Sequence, residues 1–305
     1  MIVPQGLQLR KLIPYIGPTI AVLFAYDMLV VLAYFGGWTW ISLPHIPLSV
    51  FGGAIGVILG FRNNTAYQRW WEARTIWGSI VNSSRSLARE ATSMIVAVGN
   101  TPEEQAQLSA MQRRIIVHHI AYVHALRCHL RAKPIWDELN DFLPPDEIDA
   151  LKTEKNVPLA IQQRIGLLLR QCYDHGWIDS VRWASLDATL SALMNAQGGS
   201  ERIKNTPLPV QYDYYPKVAV TVYCLILPLG LVANLGIFTP IGSTLVGLIF
   251  LALDRIGRDL ELPFENDVND VPLYAISRTI EINLKQQLGD AQLPDAIQPV
   301  DGVLW

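Results

Sequence analysis

Residues 50–74 read VFGGAIGVILGFRNNTAYQRWWEAR, and their reading decides the fold. Val50 to Phe61 carry no charge, whereas Arg62 to Arg74 are rich in arginine, asparagine and tryptophan. No proline or turn signal separates the halves, so the spacing predicts one helix that passes from an apolar medium into water.

The same contrast recurs across the chain. Of its 305 residues 50% are hydrophobic and only 17% are charged. Between Lys11 and Arg62 the single formal charge is Asp27, and between Lys217 and Asp254 there is none. Each block is too long for one span of about 20 residues and suits two passes in hairpin form. The first divides at Gly36-Gly37 through Pro44 and Pro47, the second near Asn234-Leu235-Gly236 and Pro240. Membrane segments are therefore expected at about 13–36, 47–61, 218–234 and 238–254. A soluble protein with two buried hairpins is the weaker alternative. The connecting turns hold no Lys or Arg, while 62–217 holds many, so 62–217, 255–305 and both termini are expected on the cytoplasmic side. The N-terminus lacks the pattern of a removed signal peptide.

The cytoplasmic part reads as helical throughout. Thr101-Pro102-Glu103-Glu104 is a helix start, with a capping hydroxyl, a first-turn proline and acids suited to the helix dipole. That helix is expected to reach about Lys133-Pro134, followed by a short one from Pro144-Pro145. Two more are expected at 157–175 and 178–198, meeting at Gly176, and another around 273–288. With no repeats, strand alternation or low-complexity linker, 1–305 is read as one all-α, four-pass integral membrane unit with a large helical cytoplasmic domain.

Two stripes run along the second membrane helix. Gly52, Gly56 and Gly60 form a small-residue face suited to close helix packing. Beside it lie Gly53, Val57 and Phe61, which would line a dry constriction if several copies surrounded an axis. Taken alone, a lipid-facing stripe is the favoured reading. Length shifts the balance: Pro47 to Phe61 is 15 residues, about 22 Å of helix against a core of about 30 Å. Arg62, Asn63 and Asn64 then fall at the inner boundary, where an aqueous mouth is expected.

At this point the residues resemble a known family. GFRNNTAYQRWWEAR (60–74), GGSERIKNTPLP (198–209) and DRIGRDLELPFENDVND (254–270) together resemble the bestrophins, above all their bacterial branch. The resemblance covers nearly the whole chain. It implies a homopentamer with one ion pathway on its axis, a hydrophobic neck at Phe61, Val57 and Gly53, and passage of small monovalent ions. Anions such as chloride are the expected cargo, a monovalent-cation channel the runner-up. Bulky residues are usual in the family where Val57 and Gly53 stand, which implies a wider neck with Phe61 as its main ring. The animal members' calcium clasp corresponds here to Glu265, Asp267 and Asp270, diluted by asparagine and valine. Calcium asks for six to eight oxygen ligands, so a solvated acidic turn is favoured and no cofactor is expected.

Other chemistry is weaker. His124 and Cys128, with His118, His119 and His129 on the same helix, offer an incomplete zinc set, and ordinary interior histidines are favoured. Asp27, mid-membrane, is a functional candidate by position, but a hydrogen bond between helices is the favoured reading. Three scattered cysteines make no framework, and a net charge of −3 argues against nucleic acid. No phosphate loop, nucleophile elbow or catalytic carboxylate pair is present, so an enzyme is not expected. A secondary transporter would need repeats and broken helices, which are missing. The lipid bilayer, permeant ions and further copies of the chain are the expected partners, in the plasma membrane or the inner membrane of a Gram-negative cell.

Overall fold

The computed structural model describes residue 1, residues 9–99 and residues 101–305, with side chains from residue 17 onward and at residue 1. The expected segment 13–36 thus begins among residues whose side chains lie outside that description. Among the described residues ten α-helices follow one another: α1 (Leu9–Phe35), α2 (Leu48–Met94), α3 (Pro102–Leu130), α4 (Trp136–Leu139) and α5 (Pro145–Leu151), then α6 (Val157–Asp174), α7 (Ser180–Asn205), α8 (Val210–Leu235), α9 (Thr239–Glu261) and α10 (Leu273–Gln287). The fold is all-α, and the described residues contain no named strand, only an isolated bridge from Val300 to Val303.

The helix boundaries have local causes. α2 runs 47 residues unbroken because no proline interrupts it after Pro47. At the start of α3 the Thr101 hydroxyl accepts the Glu104 N–H at 3.3 Å. The Glu104 carboxylate in turn accepts N–H groups from Val98 and Gly99, at 3.1 and 2.9 Å. α3 ends at Leu130, just short of Lys133, as the chain turns through Ala132 at φ +49°. Gly176, at φ +74°, makes the left-handed turn between α6 and α7 that a side chain would resist.

The described residues form two compact units. One holds Trp71–Thr206 and Pro263–Trp305; the other holds α1, α2 up to Trp70, and Pro207–Leu262. The unit read from the sequence therefore has two compact parts that share the helix α2. In the first, the second half of α3 is buried almost continuously, packed by α6, α7 and α10. Each large aliphatic side chain sequestered there stabilises by about 1.5–3 kcal/mol. In the second, Ile55 and Leu59 of α2 cluster with Val220, Tyr223, Cys224 and Leu227 of α8. α1 packs on α8 and α9.

Two runs among the described residues are long and apolar enough to cross a bilayer, Gly17–Phe35 and Val210–Glu261. The second contains α8 and α9, joined by the turn at Gly236–Phe238. The apolar start of α2 is shorter and ends at Arg62.

Candidate functional site

α2 has two unlike faces in the unit that contains its first half. Gly52, Ile55, Leu59, Arg62 and Ala66 are buried, in alternating steps of three and four residues that keep one side of a 3.6-residue helix turned inward. Gly53, Val57 and Phe61 lie off that face, and Val57 and Phe61 are 59% and 69% exposed. A Cβ built on Gly53 would meet nothing within 4 Å. The bare surface also takes in Val50, Phe51 and Ile58, so the stripe is one strip of a broad apolar surface.

The glycines divide. A Cβ on Gly52 would approach the Tyr223 hydroxyl at 2.7 Å and Phe250 at 3.7 Å, so close packing there requires glycine. Gly56 and Gly60 meet nothing within 4 Å, and Gly60 is exposed. Of the expected three-glycine packing face, Gly52 alone is packed among the described residues of one chain. A four-residue step turns a helix by about 40°, so the row of glycines drifts off the buried side.

Arg62, expected in an aqueous mouth, is instead 1% exposed. Its guanidinium donates to Asp213 of α8 at 2.6 Å and to the Asp254 carboxylate of α9 at 2.8 Å. It also donates to the Asp254 carbonyl at 3.1 Å and lies 3.7 Å from Glu261. Arg258 binds the other Asp254 oxygen at 2.7 Å. The physical reason is placement: Arg62 falls on the inward face, where an unpaired charge is untenable and carboxylates must gather. Asn63 is half-buried and donates to the Leu253 carbonyl at 2.9 Å, while Asn64 is exposed. Gly257 lets both side chains reach α9, since a Cβ there would overlap the Asn63 amide oxygen and lie 3.4 Å from the Arg62 guanidinium. Asp213, Asp254, Glu261 and Gly257 were not singled out from sequence. The available signal was that Arg62 and Asp254 are the first charges beyond the two apolar blocks.

Asp27 is 1% exposed and accepts hydrogen bonds from Ser243 at 3.1 Å and Thr244 at 2.8 Å, joining α1 to α9. This is the interhelical arrangement favoured from sequence, with partners supplied by the adjacent polar pair of α9.

The three acids of 263–270 part company. Asp270 is buried and closes its own loop, accepting the N–H groups of Asn266 and Asp267 at 2.6 and 3.0 Å. Burial pushes its carboxyl up to about 6. Glu265 pairs with Lys204 at 2.5 Å, and Asp267 is exposed. No cluster of three His, Cys, Asp or Glu side chains among the described residues is arranged to hold a metal. The histidines of α3 have separate partners: His118 with Glu147, His119 with Ser84, His124 with Glu281, and His129 near Glu201. Cys128 lies 3.7 Å from a Glu138 oxygen.

Known proteins resemble this chain over most of its length. The model of a family described as Bacterial/Fungal Bestrophin protein matches residues 9–286. A voltage-dependent anion channel-forming protein of Ralstonia nicotianae is 34% identical over 288 residues, 93% of this chain and 91% of that protein. Another of that description, from Escherichia coli, is 34% identical over 259 residues, 85% of this chain and 82% of its own. The crystal structure of a bacterial bestrophin homologue from Klebsiella pneumoniae superposes with a TM-score of 0.83 at 28% identity, covering 90% of this chain and 98% of that one.

Proposed function

The chain belongs to the bacterial and fungal bestrophin family, and from that membership we propose that it forms a homopentameric membrane channel for small monovalent ions. Four membrane passes place both termini in the cytoplasm, and the second pass, the start of α2, lines a hydrophobic neck at Gly53, Val57 and Phe61. Asn64 and the half-buried Asn63 stand at the mouth, with Arg62 behind them as a structural ion pair. The observation that carries this reading is the bare strip itself: Val57 and Phe61 are more than half exposed on a helix whose other side is fully packed. An apolar ring narrow enough to shed water conducts only when wetted, which gives such a strip its function. The chain acts as a conduit and catalyses no reaction.

Anions such as chloride are the cargo in this reading, supported by the anion-channel names of the relatives and by the positive ring edges of Phe61. One observation favours the cation alternative. Arg62, the charge nearest the neck, is matched by Asp213, Asp254 and Glu261 and projects no positive field toward the mouth. A reversal potential under a salt gradient, with purified protein in a planar bilayer, decides between them. Anion conduction predicts a reversal potential near the chloride equilibrium value; one near that of the cation would overturn it.

A further inference from the structure

Away from the neck, in the unit built on α3, a cleft of about 340 Å³ opens between α3, α5 and α6. On one side stands the Glu147 carboxylate. Arg114 donates to it at 2.7 Å and the His118 Nε2 lies 2.7 Å away. Arg164 sits 3.5 Å from the same carboxylate and donates to the Glu147 carbonyl at 2.9 Å. The His118 Nδ1 faces the Arg114 carbonyl at 2.8 Å, which can only accept. Both ring nitrogens of His118 therefore face oxygen acceptors. Burial alone would raise the Glu147 carboxyl, but the hydrogen bonds and charges of His118 and Arg114 outweigh it and hold the group below its ordinary value.

Two guanidinium groups and an imidazole therefore surround one carboxylate. A guanidinium presents five N–H groups in a planar fork, more than Glu147 takes from either arginine. The Arg114 side chain is half exposed at the cleft. Leu167, Leu168 and Ala150 supply an apolar wall, Gln171 an amide and Asp146 a second carboxylate. A mostly apolar cavity of this size with a few convergent polar groups is what small-ligand sites have in common.

We propose that this cleft binds a small organic molecule bearing a carboxylate, which Arg114 and Arg164 grip through charge-assisted hydrogen bonds while its apolar body lies on Leu167, Leu168 and Ala150. Glu147 then competes with the ligand for the same guanidinium groups. The carboxylate could belong to a simple acid or to an amino acid whose ammonium meets Asp146, and the two are separable by experiment.

The test is calorimetric titration of the full-length protein in detergent with isocaproate, leucine and isoamylamine, which share a branched apolar body and differ in charged ends. Isocaproate or leucine should bind saturably, and isoamylamine should not. Tighter binding of leucine supports the proposal and identifies amino acids as the source; tighter binding of isocaproate supports it for simple acids. Arg114→Gln, at an exposed position that spares the fold, should weaken binding by about tenfold, the loss expected for one charge-assisted bond. Glu147→Gln should tighten it by removing the competing carboxylate, an effect that a purely structural role would not produce. Absence of saturable binding by either acid, binding by the amine alone, or affinity unmoved by both substitutions would overturn the proposal.

Discussion

The two faces of α2 are built from similar residues and meet opposite environments. Leu59 and Phe61 are two positions apart on one helix, yet Leu59 is fully buried and Phe61 is 69% exposed. The inward face recruits α8 and α9, and where it reaches Arg62 it gathers Asp213, Asp254 and Glu261 around that charge. Among the described residues, no buried cluster forms on the outward face. The difference teaches that one turn of helix can separate the residues that hold the chain together from those that the proposed channel would use between subunits.

Substitutions on the two faces should consequently fail in different ways, the inward ones through stability. Arg62→Met is expected to have the largest effect, because it leaves one oxygen of buried Asp254 without its ion-pair partner and unbalances Glu261. Breaking a buried pair from one side costs about 3–5 kcal/mol. Thermal unfolding in detergent should show a large drop in midpoint, or no folded protein, and a midpoint within a degree of wild type would show that the cluster is not structural.

Next comes the glycine pair Gly52 and Gly53, adjacent in sequence and on different faces. Gly52→Ala forces a methyl against the Tyr223 hydroxyl and should cost about 1–3 kcal/mol by overpacking. Gly53→Ala has open space and should leave the unfolding midpoint unchanged. Equal midpoints for the two variants would remove the distinction between the faces.

A smaller effect lies further along the inward side, at Ser84. Its hydroxyl donates to the Ile80 carbonyl at 2.6 Å, so the His119 Nε2–H donates to Ser84 across 2.8 Å. Burial holds the His119 imidazole down at about 3, against an ordinary value of 6.5. The unfolded chain therefore takes up this proton first. The stabilisation is present above pH 6.5 and is lost as pH falls from there towards about 3. One proton amounts to up to about 1.4 kcal/mol per pH unit. His119→Gln should flatten the fall in unfolding free energy between pH 6.5 and 5, and an unchanged slope would show that His119 is not buried neutral.

Much of this was legible in the sequence because the cause was local. The unbroken α2 follows from the absence of proline, the start of α3 from Thr101 and Glu104, and the turn at Gly176 from a residue that tolerates positive φ. The apolar character of the strip Gly53, Val57 and Phe61 was equally plain from four-residue spacing. The Arg62 cluster was not, because its acids lie 151 and 192 residues away and only the fold brings them together. Arg62 read as solvated since arginine beside two asparagines usually is; which face it occupied depended on where α8 and α9 packed. The glycine row depends on packing in a related way. Regular spacing marks a stripe, but a four-residue repeat drifts around the helix and only Gly52 stays on the packed side.

The neck claim is tested most directly by the single-channel conductance of Phe61→Ala in a planar bilayer, with the unfolding midpoint as control. Removing the ring from an apolar constriction repeated in every subunit should raise conductance well above wild type while the midpoint stays where it was. Conductance equal to wild type, in protein that is folded and assembled, would contradict the account and turn the strip of Gly53, Val57 and Phe61 towards lipid.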